Sequence, residues 1–249
     1  MKKKLIAALA CRLDGSRLFG KPLQRLDIEA DTKIIDNIIN CFKKFKFIKD
    51  IVLGISEGDI NKFFITYAKS KNIKFIIGDK EDVLSRLIKC AKKANASDIL
   101  RTTSESPFIY YEILKKAWII HKKHKNDFTT TGDIIDGAGF EIITKKALEY
   151  SHKFGQKKHR SELCSLYIRE NLNKFKCEKL VMEKKYIRKD IRLTVDYPED
   201  LILCRKIYMK FKKNAPLIRV KNIISYLDKN KELIELTKKY TELAYKNIK

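Results

Sequence analysis

Arg12, Arg17 and Lys21 lie close together in one stretch, Ala10-Cys11-Arg12-Leu13-Asp14-Gly15-Ser16-Arg17-Leu18-Phe19-Gly20-Lys21-Pro22, interleaved with Gly15 and Gly20. Three cations can neutralise a triphosphate, and two glycines allow a tight loop whose backbone amides turn toward an anion. The stretch follows an apolar run, Leu5 to Ala10, that reads as a buried strand. The carboxyl end of a strand is where open α/β sheets bind ligands. Gly15 to Lys21 also has the GxxxxGK spacing of a P-loop, but Pro22 stands where that motif needs a magnesium-binding hydroxyl. A P-loop nucleotidase is therefore excluded, and the stretch contains no GxGxxG of a dinucleotide fold.

The elements that must position this loop read as a mostly parallel sheet with covering helices, because short apolar runs alternate with segments whose apolar residues recur every three or four positions. Strands are expected at 4–10, 50–55, 73–77, 97–101, 126–131, 138–143, 176–182 and 191–195. Helices are expected at 33–45, at 59–71, from Asp82 to near Asn95, after Pro107, at 162–170, and as a final pair at 199–212 and 219–247. The last of these has the periodicity of a solvated amphipathic extension. Ile34, Ile38, Leu84, Leu87, Leu114 and Trp118 fall on core faces, where packing alone satisfies their spacing.

Bulk composition narrows the class. The chain has 249 residues, enough for one sizeable α/β domain, and 9 Gly with 4 Pro leave little room for long linkers. The formal charge of +24 comes mainly from Lys pairs spread along the chain, such as Lys43-Lys44 and Lys122-Lys123. That pattern favours anionic small substrates over nucleic acid, which more often meets Arg and aromatics concentrated on one element. The 6 Cys form no CxxC pair and lie mostly in apolar segments, so reduced thiols in a cytoplasmic protein are expected and a zinc site is not. No apolar run is long enough to span a membrane. The run after Met1-Lys2-Lys3-Lys4 is short and leads into Arg12-Leu13-Asp14, so it reads as a first strand rather than a leader.

The basic loop resembles the nucleotide-binding signature ARxxSxRLPGKxL of the cytidylyltransferase superfamily that includes CMP-Kdo synthetase and the spore coat polysaccharide biosynthesis protein F type, with Cys11 directly before Arg12 and Phe19 in place of the usual Pro. Three further segments recur in order. Gly78 to Arg86 resembles GxxxDVLxR, Arg101 to Phe108 resembles RxxGDxPL with Ser104 and Glu105 in place of Gly and Asp, and Arg192 to Asp200 resembles RLTVDTPED. The resemblance spans roughly residues 1–212. It implies a three-layer Rossmann-like nucleotidyltransferase fold over 1–215, with a small dimerisation or acceptor arm at about 150–190, and leaves 216–249 as a C-terminal helical extension.

The resemblance also implies roles. Ala10, Arg12, Gly15, Ser16, Lys21, Asp82, Arg86 and Arg101 would bind nucleotide, although Asp82 can equally cap a helix and Arg86 can equally be its surface partner. Arg12, Arg17, Lys21, Glu105 and Asp196 would be catalytic, with Glu105 and Asp196 as carboxylates for Mg2+. Acceptor contacts would come from Asp136 and Glu141, in a stretch like PDGxDxE, and from His159, Arg160 and Glu162, beside a stretch like REHVTPYIR. The implied activity is CTP-dependent transfer of CMP to a phosphorylated small molecule or acidic sugar by a homodimer, in polysaccharide biosynthesis. Guanylyl, uridylyl or adenylyl transfer, noncatalytic nucleotide binding and RNA binding are the competing readings.

Overall fold

The computed structural model describes residues 3–15 and 17–246, without the side chains of 244–246. In chain order the elements are β1 (Leu5–Cys11), β2 (Arg25–Asp27), β3 (Thr32–Lys33), α1 (Ile34–Lys43), β4 (Ile48–Ser56), α2 (Lys62–Ser70), β5 (Lys74–Gly78), α3 (Val83–Lys93), β6 (Asp98–Arg101) and α4 (Leu114–Lys123). The chain continues through β7 (Phe128–Thr130), β8 (Glu141–Thr144), α5 (Lys145–Phe154), α6 (Leu166–Glu170), β9 (Cys177–Lys179), α7 (Pro198–Lys210), α8 (Val220–Lys229), α9 (Lys231–Glu235) and α10 (Lys238–Lys246).

Seven strands form one sheet in the order β5-β4-β1-β6-β8-β7-β9, and β2 with β3 forms a separate hairpin. The β5, β4, β1 and β6 strands pair in parallel, β8 runs antiparallel to both β6 and β7, and β9 is parallel to β7. The sheet is thus mixed and mostly parallel. Strand periodicity divides the core cleanly: Leu5, Ala7, Leu9 and Cys11 of β1 face a cluster built with α1, α2, α4, α7 and α8. Ile6 and Ala8 face a second cluster built with α3, α5 and α6. Helices therefore cover both faces, as three-layer α/β architecture requires.

Three expectations need correcting. The predicted strand at 191–195 is extended and buried but joins no ladder, making a single parallel bridge from Arg192 to Asp136. Gly137 explains the close crossing, since it has φ +84° and a Cβ there would lie 2.3 Å from the Thr194 amide nitrogen. The predicted helix at 219–247 is three helices, and α8 and α9 bury Ile223, Leu227 and Leu233 in the main core rather than standing off in solvent. The α5 helix, capped by the Thr144 hydroxyl accepting from the Ala147 amide, and the β2–β3 hairpin were not anticipated. Among the described residues no helix is long and apolar enough to cross a membrane.

Candidate active site

The basic loop leaves β1 at its carboxyl end, beside the carboxyl end of its parallel neighbour β6. Gly15 is needed for the loop's inner contact, since a Cβ there would meet the Leu18 carbonyl at 2.7 Å. Gly20, at φ +61°, donates its amide to the Leu13 carbonyl and closes the loop ahead of Lys21. Ser16 lies outside the described residues.

Two of the loop's three cations, Arg17 and Lys21, converge on Asp196, which reaches the same place from the other end of the chain. Lys21 Nζ lies 2.6 Å from Asp196 Oδ1, Arg17 donates to the same oxygen at 3.3 Å, and Arg192 donates to Oδ2. Burial pushes the Asp196 carboxyl up, but the hydrogen bond and charge of Lys21, with Arg192 and Arg17, outweigh it and hold the group below the usual carboxylate range. Asp200 fixes the turn, accepting from the Asp196 and Tyr197 amides at 2.9 and 3.0 Å at the N-terminus of α7. Arg192, only 3% exposed, ties the segment together through Asp136 at 2.6 Å and Asp200 at 3.2 Å.

Glu105 sits across from these groups. Its backbone carbonyl accepts from the Val195 amide at 3.1 Å, which docks the two carboxylate-bearing segments side by side. Burial raises the Glu105 carboxyl, and the negative charges of Asp196 and Glu162 act in the same direction against the opposing charge of Lys21. Ser104 anchors the turn by donating to the Ala10 carbonyl at 2.8 Å. Glu105 also lines a small hollow with Arg12, Gly15 and Lys21, the lysine that pairs with Asp196.

Two clefts adjoin this point. The first, open to solvent, is bounded by Ala10, Arg12, Arg86, Arg101, Glu105 and Glu162. Arg86 is buried, and its guanidinium donates to the Cys11 and Gly54 carbonyls at 3.2 and 2.9 Å. It forms a rigid wall between strands. Asp82 caps α3 through the Ser85 amide at 2.7 Å and also pairs with His152 of α5. Arg12 pairs with Glu162 across the cleft mouth, and Arg101 donates to the Glu162 carbonyl at 2.6 Å.

The second cleft is bounded by Arg101, Asp136, Glu141, Arg169 and Thr194 among others. Arg101 and Glu141 are cross-strand partners on β6 and β8, which places their side chains 3.0 Å apart. Arg169 and Ser165 also bind Glu141, at 2.8 and 2.7 Å. Arg101 thus separates the two clefts. His159 and Arg160 border neither: His159 accepts from the Gln156 amide and meets Glu170 at 2.8 Å, while Arg160 donates to the His152 carbonyl.

The sequence motifs assign no role to Arg192 or Arg169. A signal existed for Arg192. It alternates with buried Ile191, Leu193 and Val195 and stands four residues before Asp196, so it had to face the same side as Thr194 and Asp196.

A mixed sheet whose carboxyl edge joins a cationic glycine loop to two carboxylates has the architecture of a nucleotidyltransferase. The chain belongs to the cytidylyltransferase family, whose profile, described as Cytidylyltransferase, matches residues 6–247. It is 28% identical to an uncharacterised protein of Methanocaldococcus jannaschii, over 98% of this chain and 99% of that one. It is 22% identical to the spore coat polysaccharide biosynthesis protein SpsF of Bacillus subtilis, over 91% of this chain and 95% of that one. A cytidylyltransferase structure from Leptospira borgpetersenii superposes with a TM-score of 0.83 at 24% identity, covering 93% of this chain and 97% of the other. A CMP:2-keto-3-deoxy-manno-octonic acid synthetase complexed with CTP superposes at 0.61 with 12% identity, covering 84% and 99%. These structural likenesses establish the fold.

Proposed function

We propose that the protein transfers CMP from CTP to a small anionic acceptor, a phosphorylated molecule or an acidic sugar, with release of pyrophosphate in polysaccharide biosynthesis. The observation that carries the reading is the convergence of Arg17, Lys21 and Arg192 on Asp196 beside Glu105. The family assignment, the CTP bound to the synthetase of similar fold and the pathway in the name of the Bacillus relative support it.

The two carboxylates suit Mg2+. They are hard oxygen donors close enough for the charge of Asp196 to raise the Glu105 carboxyl, the situation a shared divalent cation relieves. Among the described residues no group of three or more His, Cys, Asp or Glu side chains could hold a metal ion. Magnesium characteristically takes one or two carboxylates and completes its shell with phosphate oxygens and water. Glu105 and Asp196 would hold it, and it would neutralise charge on the phosphate oxygens.

The chain's own residues account for the rest. Lys21 and Arg17 exchange Asp196 for phosphate oxygens when the triphosphate arrives, and the loop amides and Arg12 bind the outer phosphates. Cytidine lies in the cleft walled by Ala10, Arg86 and Arg101. The acceptor enters the second cleft, where Arg101 and Arg169 carry positive charge and Glu141 sets their orientation. Attack by an acceptor oxygen on the α-phosphorus forms the new P–O bond as the bond to pyrophosphate breaks, with no covalent enzyme intermediate. Positioning and charge stabilisation supply the catalysis.

The test is pyrophosphate release with CTP, GTP, UTP or ATP, each with Mg2+ and a pool of phosphorylated and acidic small molecules. Release with CTP, lost in Asp196→Ala, is expected. A preference for another nucleotide would move the protein to a sister activity, and tight CTP binding without release from any acceptor would support a noncatalytic role.

A further inference from the structure

The α10 helix reaches the basic loop through an aromatic column. Tyr197 follows Asp196 directly, and Arg17 lies over the Tyr197 ring at 5.0 Å while donating toward its hydroxyl at 3.4 Å. Tyr240, in the first turn of α10, stacks on the same ring with centroids 3.7 Å apart and planes 15° from parallel. The Tyr240 hydroxyl is 2.7 Å from Glu199 in the first turn of α7, which sets the ring's angle as well as its distance. Tyr240 is 8% exposed, and Thr241 beside it is buried, so this end of α10 is seated. The contact joins residues that are far apart in sequence, and its far end is a cation bound to Asp196.

We propose that Tyr240 is a positioning residue for the nucleotide site: by stacking on Tyr197 it fixes the surface against which Arg17 lies, so that α10 completes the triphosphate-binding loop. The physical case rests on Arg17 itself. A half-exposed arginine on a glycine-flanked loop has many rotamers, and ordering it on binding costs conformational entropy. A flat ring held from behind removes part of that cost before the ligand arrives. Tyr197 alone is only partly buried, and Tyr240 supplies the packing that holds it. The inference rests on the proposal that this loop binds a nucleoside triphosphate.

The experiment compares Tyr240→Leu, which keeps bulk without an aromatic face, with Tyr240→Phe, which keeps the face without the hydroxyl. Both are made in the full chain and alone and combined with Arg17→Ala. Titration calorimetry with CTP and Mg2+ in the absence of acceptor gives affinity, and steady-state pyrophosphate release gives KM for each substrate. Tyr240→Leu should weaken CTP about two- to tenfold, the range expected for one aromatic contact. It should leave the acceptor KM unchanged, and Tyr240→Phe should recover most of the loss. In the Arg17→Ala background Tyr240→Leu should add nothing, because both changes remove one coupled unit. Equal CTP affinity in folded Tyr240→Leu, or a full additive loss on top of Arg17→Ala, would overturn the proposal.

A measurement on the unaltered chain guards against a variant that does not fold. CTP with Mg2+ should slow hydrogen exchange of the α10 amides, and no slowing there while the basic loop is protected would equally overturn it. If the unaltered chain binds none of the four nucleoside triphosphates, the functional reading itself fails, a result separate from either of these.

Discussion

Replacing Arg192 by Met removes the cation shared by three carboxylates while keeping an apolar stem of similar length. The three acids do not lose equally. Asp136 is 38% exposed at its side chain and can take up water, and Asp196 keeps Lys21 and Arg17. Asp200 has a fully buried side chain and would retain only the Asp196 and Tyr197 amides. Breaking a buried pair by removing one partner costs about 3–5 kcal/mol, and that cost should fall mainly on Asp200. Urea unfolding of the two proteins near neutral pH measures it.

The pH dependence fixes the cause. Burial raises the folded-state Asp200 carboxyl above its unfolded value even with Arg192 opposing that rise, and burial likewise raises Asp136. A raised carboxyl contributes stability that is present below the unfolded value and lost as pH rises through the folded one. Without Arg192 both groups move further up, so the penalty in Arg192→Met should shrink as the solution is acidified and the carboxyls bind protons. Adding Asp200→Asn, which keeps a capping oxygen, should restore most of the stability at neutral pH. A penalty below about 1 kcal/mol, the ceiling typical of an exposed ion pair, or one that grows toward acid pH, would refute the assignment of Arg192 as a buried charge hub.

Asp82→Ala removes the side-chain cap of α3 and the partner of His152, and should cost about 1 kcal/mol in chemical denaturation. Gly137→Ala places a Cβ against the Thr194 backbone at a positive φ, so it should destabilise by on the order of 2 kcal/mol or more in urea unfolding. Cys41 and Cys90 are pushed up to about 12 by burial, and Cys11, Cys164 and Cys204 are also buried and shifted upward. A thiol-specific disulfide reagent at neutral pH should therefore label only the half-buried Cys177 in the native chain, and all six after unfolding.

What the sequence disclosed depended on how much of each element a local pattern determines. β1 was legible because its alternate residues feed two cores, so a run of buried residues bounded by a glycine loop had one interpretation. The basic loop was legible from its cations and glycines directly after an apolar run, whereas Glu105 and Asp196 were singled out only through the resemblance of their segments to RxxGDxPL and RLTVDTPED. The α5 helix was not legible, since only Ala147, Leu148 and Ser151 of its ten residues are buried and its apolar stripe is too thin to mark a period. The β2 and β3 strands, three and two residues long, are shorter than any alternation can show. Residues 191–195 had the right alternation but the wrong partner: the approach of Gly137 and the pull of Arg192 on Asp136 hold them beside the sheet with a single bridge. The break at Asn230 was hidden because α8 and α9 keep the same apolar face across it.

The charge balance of the site gives a reason for its resting arrangement. In the proposed function Lys21 and Arg17 serve a triphosphate, yet two free cations in one loop would repel each other and the nearby Arg192. Asp196 holds both in place, and the depressed carboxyl that results is the energetic record of that pairing. If phosphate displaces Asp196 from the two cations as proposed, the released carboxylate would face Glu105, whose own carboxyl burial and like charge already push upward. In that reading the two acids would stand where the nucleotide brings its phosphates, a combination that a divalent cation would stabilise. Nucleotide and metal should accordingly bind with positive coupling, each raising the affinity for the other by the same factor. Arg192 makes the exchange local: buried between Asp136, Asp196 and Asp200, it stays with the protein while the two loop cations change partners.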